Sequence, residues 1–448
     1  SYDRRYIGEF NFGYNGSENF AKGKKFGFFP SIALGWMVSE ENFMEPVKNV
    51  LSKTKVRMSY GIVGNDRING RRFAYITTLG TNSGYTWGTN GDVSYTGREE
   101  GEKGVSNLTW ETVTKTNLGF ELGFFNNVDL NIDLYSEHRK NIFMQRTTVP
   151  GSAGFINSVW ANYGKVDNKG MDISLNAHKQ LSKDWFVSLR GSFTYARNKI
   201  KEIDEMPQVV GTYRSYTGQS VSTLYGLRAI GLFTEDDFAD VNAGILKDGI
   251  PNQLYSKVRP GDIRYLDMNN DGIIDDQDKA PIGGTENPQI VYGFGTYARF
   301  RNLDLSVFVQ GVAKTHRIIG SDLFIPGSGS GVLGNIHSNY ADRWTVENPS
   351  QDVFYPRLSE STSLNNKQPS TWWKKDMSFL RIKNIEVGYN FPKRIIEKMN
   401  VENARLFLSG NNLFCISGFK LWDPEIGTND GLIYPPMRTF SVGFDITF

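Results

Sequence analysis

Apolar and polar residues alternate with period two from one end of the chain to the other, and no apolar run grows long enough to cross a membrane as a helix. The clearest stretches are 6–14, 30–38, 56–62, 116–124, 128–134, 171–177, 185–195, 294–300, 303–309, 387–391, 405–409 and 440–448. In most of them one side is Leu, Ile, Val or an aromatic, and the other is Asp, Asn, Ser, Thr, Glu or Gly. Such alternation is the signature of strands with two unlike faces, and it predicts about twelve to fifteen of them. The 47 glycines break almost every apolar run before it reaches helical length, and 30 Phe, 21 Tyr and 9 Trp favour strands further. A membrane helix needs roughly 18 consecutive apolar residues, which the sequence nowhere provides. That leaves a membrane β-barrel open, because its strands give only a weak alternating signal. The one short helix expected is 393–399, KRIIEKM, opened by Pro392.

The connections are of two kinds. FFNN at 124–127 and KQLSKD at 179–184 are tight turns, whereas 80–108, 200–222, 232–289 and 311–377 are long, polar and rich in Gly and Ser. Short turns at one end and long loops at the other are the layout of an outer-membrane barrel. Aromatics such as Tyr6, Tyr14, Trp36, Tyr60, Tyr135, Trp185, Tyr195, Tyr389 and Phe391 fall near strand ends, where amphipathic rings sit at membrane interfaces. The pattern therefore favours a membrane barrel over a soluble β-protein. With 50 basic and 48 acidic residues the chain has no bulk field that would recruit nucleic acid. A single cysteine, Cys415, rules out an internal disulfide. The opening SYDRRYIGEF has neither a basic nor an apolar leader region and reads as mid-strand, so either the first residue follows a cut or the chain is a fragment of something longer.

One local motif carries chemistry. In DMNNDGIIDDQD, 267–278, Asp267, Asn269, Asp271, Ile273, Asp275 and Asp278 occupy the ligand positions of a calcium loop around Gly272. Hard oxygens at alternate positions suit Ca²⁺, although Asp278 stands where a longer Glu usually gives bidentate ligation. No helix pair flanks the motif, so the readings left are a bound Ca²⁺ bracing a long loop and a metal-free acidic turn closed by Asx hydrogen bonds. Enzyme signals are thin: His138, His178, His316 and His337 show no metal-ligand spacing, GSGSG at 327–331 reads as flexible linker, and no carboxylate pair stands out. Trp344, Trp372 and Trp373 lie in long loops, where they either contact a substrate or partner or tuck beneath their own loop.

Several blocks, in order, resemble the SusC/RagA family of TonB-dependent outer-membrane transporters. They include KKFGFFPSIALGWMVSEENF (24–43), WETVTKTNLGFELGFFNN (110–127), NYGKVDNKGMDISL (162–175), GDIRYLDMNNDGIIDDQDKAPIGGTENPQIVYGF (261–294), SFLRIKNIEVGYNFP (378–392) and YPPMRTFSVGFDITF (434–448). The resemblance implies an all-β, antiparallel transmembrane β-barrel of roughly twenty-two strands, of which 1–448 would be the C-terminal part. The N-terminal plug, TonB box and first strands are expected to be absent from this chain. It further implies import of an oligosaccharide or peptide beneath a SusD-like surface lipoprotein, driven by TonB–ExbB–ExbD, with no catalysis. A terminal aromatic after such alternation also resembles the signal read by the barrel assembly machinery, which would give Phe440, Phe444 and Phe448 that role. The competing readings are a passive porin or adhesin barrel in membrane lipid, and a soluble calcium-braced domain that binds glycans.

Overall fold

A computed structural model describes residues 2–320, 325, 338–359, 363–399 and 401–448. The GSGSG segment and His337 lie outside the described residues. Twelve long strands carry antiparallel pairing, and the chain divides into two compact units. All twelve alternating stretches fall on these strands, and the helix Lys393–Met399 forms after Pro392 as its sequence predicts.

In the first unit the strands Tyr6–Gly16, Phe26–Met37, Leu51–Asn65, Glu111–Phe124, Val128–Gln145 and Trp160–Gln180 each pair with the next. In the second, Ile290–Phe300, Leu303–Ala313, Phe379–Asn390, Asn403–Ser417 and Thr439–Thr447 do the same. The strand Trp185–Glu202 contributes to both, residues 185–193 to the second unit and 194–202 to the first. Tight turns close one end of the ladders. FFNN makes its reversal with Phe125 and Asn126 both at positive φ, 53° and 57°.

Register turns alternation into two continuous faces. Tyr6, Trp36, Val56, Phe120, Ile132 and Ile173 stand opposite one another in turn across the first unit. Phe300, Leu303, Tyr389, Leu406 and Phe444 do so across the second. The faces that carry these rows are bare: Phe10, Leu34 and Leu408 on them are 63%, 57% and 54% exposed. A run of exposed apolar side chains on this scale has no place in water and marks a lipid-facing surface.

The core lies elsewhere. The buried apolar residues Leu227, Leu232, Ile263, Tyr265, Ile274, Ile319, Trp373 and Met377 cluster within the second unit, almost entirely in the long connections. Those connections form short paired strands, Thr223–Gly226 with Ala280–Thr285, Ala229–Leu232 with Ile263–Tyr265, and His316–Ile318 with Lys374–Asp376.

Candidate functional site

The polar faces of the strands are laced with ion pairs. In the first unit Arg57 binds Asp133 at 2.7 Å and Glu121 at 3.3 Å, Lys53 and Lys55 reach Glu121 at 2.9 and 3.2 Å, and Lys115 meets Glu137 at 2.8 Å. In the second, Arg405 binds Asp304 at 2.5 Å and Glu386 at 2.7 Å. Register explains the fit. Gly119 stands opposite both Arg57 and Asp133, and a Cβ there would lie 2.7 Å from Arg57 Nε, so the bare backbone lets the guanidinium lie across the sheet. Gly388 serves Arg405 in the same way, 2.4 Å from its Nη2. Among these residues Asp304 is fully committed, accepting also from Asn390 at 2.8 Å.

One loop folds back onto this face. Arg381, only 2% exposed, holds Asp423 at 2.5 Å and Glu425 at 2.9 Å, and Lys383 and Gln310 reach Glu425 at 3.2 Å each. Removing one partner would strand a buried charge, so the contact fixes the loop.

The long connections of the second unit are sewn together by buried polar side chains. Asp262 accepts from Arg357 Nε at 3.0 Å, Arg357 Nη2 at 3.2 Å, Asn366 Nδ2 at 2.8 Å and the Arg259 N–H at 2.8 Å. Burial pushes its carboxyl up, while the Arg357 guanidinium pulls the other way. Gln253 donates to the Ile263 carbonyl at 2.9 Å and accepts the Tyr265 N–H at 2.8 Å, and Asn365 donates to the same carbonyl at 2.8 Å. A satisfied network of this kind specifies one arrangement of loops.

In the first unit, Asp204 plays a similar part. Burial raises its carboxyl, but the Thr148 N–H and hydroxyl, Arg146 and the Thr147 N–H outweigh it and hold the group down to about 2.

Of the two readings left open for the loop tryptophans, the structure shows rings tucked beneath their own loops. Trp373 is 1% and Trp344 8% exposed, both inside the loop core. Trp373 Nε1 donates to the Asn366 carbonyl at 2.7 Å, and Trp372 Nε1 to the Phe354 carbonyl at 3.1 Å. Their rings have more apolar surface to bury among one another than solvent would leave them. Exposed aromatics sit instead on the hairpin of Leu79–Trp87 and Val93–Glu100, where Tyr85 faces Tyr95, and Tyr85 and Trp87 meet at 4.9 Å. Their alternation, GYTWG then DVSYT, was the available signal.

The six calcium-loop positions do form one turn. Asp267 accepts from the N–H groups of Asn270 at 2.6 Å and Gly272 at 2.9 Å, Asp271 from Ile273 at 2.9 Å, Asp275 from Gln277 at 2.7 Å, and Asp278 from Met268 at 2.7 Å and Asp275 at 2.9 Å. Asn270 and Gly272 supply the positive φ the turn requires, 60° and 81°. Among the described residues, no three His, Cys, Asp or Glu side chains are gathered as metal ligands. Phe440 and Phe444 share the apolar face of the last strand, and Phe448, just beyond its end, is 86% exposed.

With this geometry in place, known proteins supply the comparison. The sequence model of the family described as TonB dependent receptor-like, beta-barrel, matches residues 2–413. TonB-dependent receptor P26 of Formosa agariphila is 30% identical over 97% of this chain and 44% of its own length. TonB-dependent receptor SusC of Bacteroides thetaiotaomicron is 28% identical over 99% of this chain and 42% of its own. The solved RagAB peptide transporter superposes with a TM-score of 0.77 over 100% of this chain and 46% of that one, at 23% identity, and so shares its fold. The chain thus spans less than half the length of these relatives.

Proposed function

The chain belongs to the TonB dependent receptor-like β-barrel family of outer-membrane transporters, and on that premise we propose that it supplies wall and mouth to an importer of large nutrients, oligosaccharides or peptides. The observation that carries this reading is the pairing of a bare apolar face with an ion-paired polar face along the same strands. Such a sheet belongs with one side in lipid and the other around a polar lumen. The tight turns would face the periplasm and the long connections the outside. There, the core of the loop layer holds a shaped surface in place for a substrate and for a SusD-like lipoprotein lid. Tyr85, Trp87 and Tyr95, exposed on their hairpin, are suited to stack on or pack against such a partner. Work would come from TonB–ExbB–ExbD through a plug in the rest of the protein, with substrate binding shifting lid and plug between states.

Affinity purification of the full-length protein from native membranes tests this reading. A surface lipoprotein should co-purify at about one per transporter, and nutrient uptake should stop when the proton-motive force is dissipated. Uptake that persists without it would favour a passive porin.

Calcium at 267–278 is a separate proposal. Asp267, Asn269, Asp271, Asp275 and Asp278 carry the hard oxygens such a cation takes, with the Ile273 carbonyl. A melting temperature raised by Ca²⁺ over chelator, and not raised in Asp271→Ala, supports it. Equal melting in the wild type removes it.

A further inference from the structure

Above the apolar rows of the first unit, the outward face changes character abruptly. On the strand Trp160–Gln180, Met171 closes the apolar row opposite Leu134, and the next outward residue, Lys169, stands opposite Ser136. The position after that is Asp167, opposite His138. On the strand Val128–Gln145 the same side continues from Leu134 through Ser136 and His138 to Lys140. On residues 194–202 it continues from Tyr195 to Arg197, Lys199 and Lys201. Lys140, Lys169, Arg197, Lys199 and Lys201 are all exposed.

The acids on this rim are few and engaged. Asp167 is shared between His138 and Lys201, the latter at 3.8 Å, and Glu202 pairs with Lys165. Lys140, Lys169, Arg197 and Lys199 form no ion pair among the described residues. Such a surplus is local. On the neighbouring strand Glu111–Phe124 the same level carries Thr112, Thr114 and Thr116. In the second unit the corresponding outward positions are Tyr292, Gly311, Leu380 and Ile416.

Lysine and arginine at this height have one partner of matching chemistry. Their stems lie along the last apolar side chains and their charged heads reach the headgroup level, one strand repeat of roughly 7 Å further out. Because the long connections lie at this end, that level is the outer leaflet, whose glycolipid carries phosphate. We propose that Lys169, Arg197 and Lys199, with Lys140 beside them, form a binding site for the phosphate groups of the outer-leaflet glycolipid. The site holds an annular lipid against one sector of the wall, where Arg197 offers a planar fork and the lysines point charges.

Full-length protein with Lys169→Gln, Arg197→Gln and Lys199→Gln, purified from an outer membrane, tests this. Native mass spectrometry should find glycolipid on the wild type and a loss of about tenfold or more in the triple variant, since each basic group near a charged headgroup layer contributes measurably. Heat-modifiable gel migration should be the same for both, showing that the barrel is intact, and Lys169→Arg with Lys199→Arg should retain the lipid. Titration of delipidated wild type with intact glycolipid should raise its melting temperature, while dephosphorylated glycolipid or inorganic phosphate should not. Equal lipid on wild type and triple variant, or equal response to the intact and dephosphorylated forms, would overturn the proposal.

Discussion

The strands and the long connections of the second unit solve opposite problems with the same residue types. Along the strands, apolar side chains such as Leu303, Val387 and Leu408 stay exposed while the charged Asp304 and Arg381 are covered, at 4% and 2%. In the connections, Tyr355, Trp373 and Ile263 are buried as in any water-soluble domain. One chain therefore reads two solvents. The strands are inverted because lipid covers their outer side, and the connections are ordinary because water does. It follows that the loop layer should have a stability of its own, and that each half should respond to substitutions the other would tolerate.

The sharpest break between them is Trp373→Ala, which removes the largest fully buried side chain of the loop core. A loss of about 3–5 kcal/mol is expected there. Hydrogen exchange should rise throughout 223–285 and 363–377 while the strand amides stay protected. Exchange rising equally in the strands would mean that the two regions unfold as one.

Leu130→Arg tests the strands instead. Leu130 stands between Leu122 and Leu175, midway along the apolar row that ends at Leu134, where an arginine near the bilayer midplane costs about 2–4 kcal/mol. Unfolding in lipid vesicles should show that loss. In a soluble protein an exposed Leu→Arg change falls within about 0.5 kcal/mol, and a result of that size would contradict the lipid-facing assignment.

Acid should loosen a loop of the first unit only as pH falls to about 2. Asp204 has its pKa depressed from the ordinary aspartate range to about 2. Its contribution is therefore complete above the unfolded-state value and is lost as pH falls through about 2. The shift corresponds to about 2 kcal/mol, which Asp204→Asn should remove at neutral pH. Contact between 146–148 and 204, followed by crosslinking at neutral pH and at pH 2, is the readout. No change between the two would exclude the clamp.

Trp87→Ala should change least in stability, about 0.5 kcal/mol or below, because Trp87 is 60% exposed. Binding to substrate or lid should weaken instead. A large stability loss would show that this hairpin, like the other loops, is packed.

The strands were legible because a boundary between lipid and a polar lumen writes period two into every sequence that crosses it. The reading stopped short where the boundary did. Strand Trp160–Gln180 begins well before its alternating stretch at 171–177, since above the bilayer both sides of a strand are polar and the contrast vanishes. Gly119 and Gly388 looked like breaks in apolar runs and prove to be seats for arginines. Within the loops, Asp262, Gln253, Asn365 and Asn366 are polar residues buried by one another across some hundred positions of sequence, 102 for Asn365 and Ile263. No local pattern announces such partners, and the same blindness left both readings of Trp344 and Trp373 open.

The most direct test of the two-solvent account is a scan of single spin labels along 129–140, in a Cys415→Ser background of the full-length protein in bilayers. Collision with oxygen, which concentrates in lipid, should peak at 130, 132 and 134, and collision with a water-soluble nickel chelate at 131, 133 and 135. The oxygen maxima should end at 136. Accessibility that does not alternate, or that alternates with the opposite phase, would contradict the account.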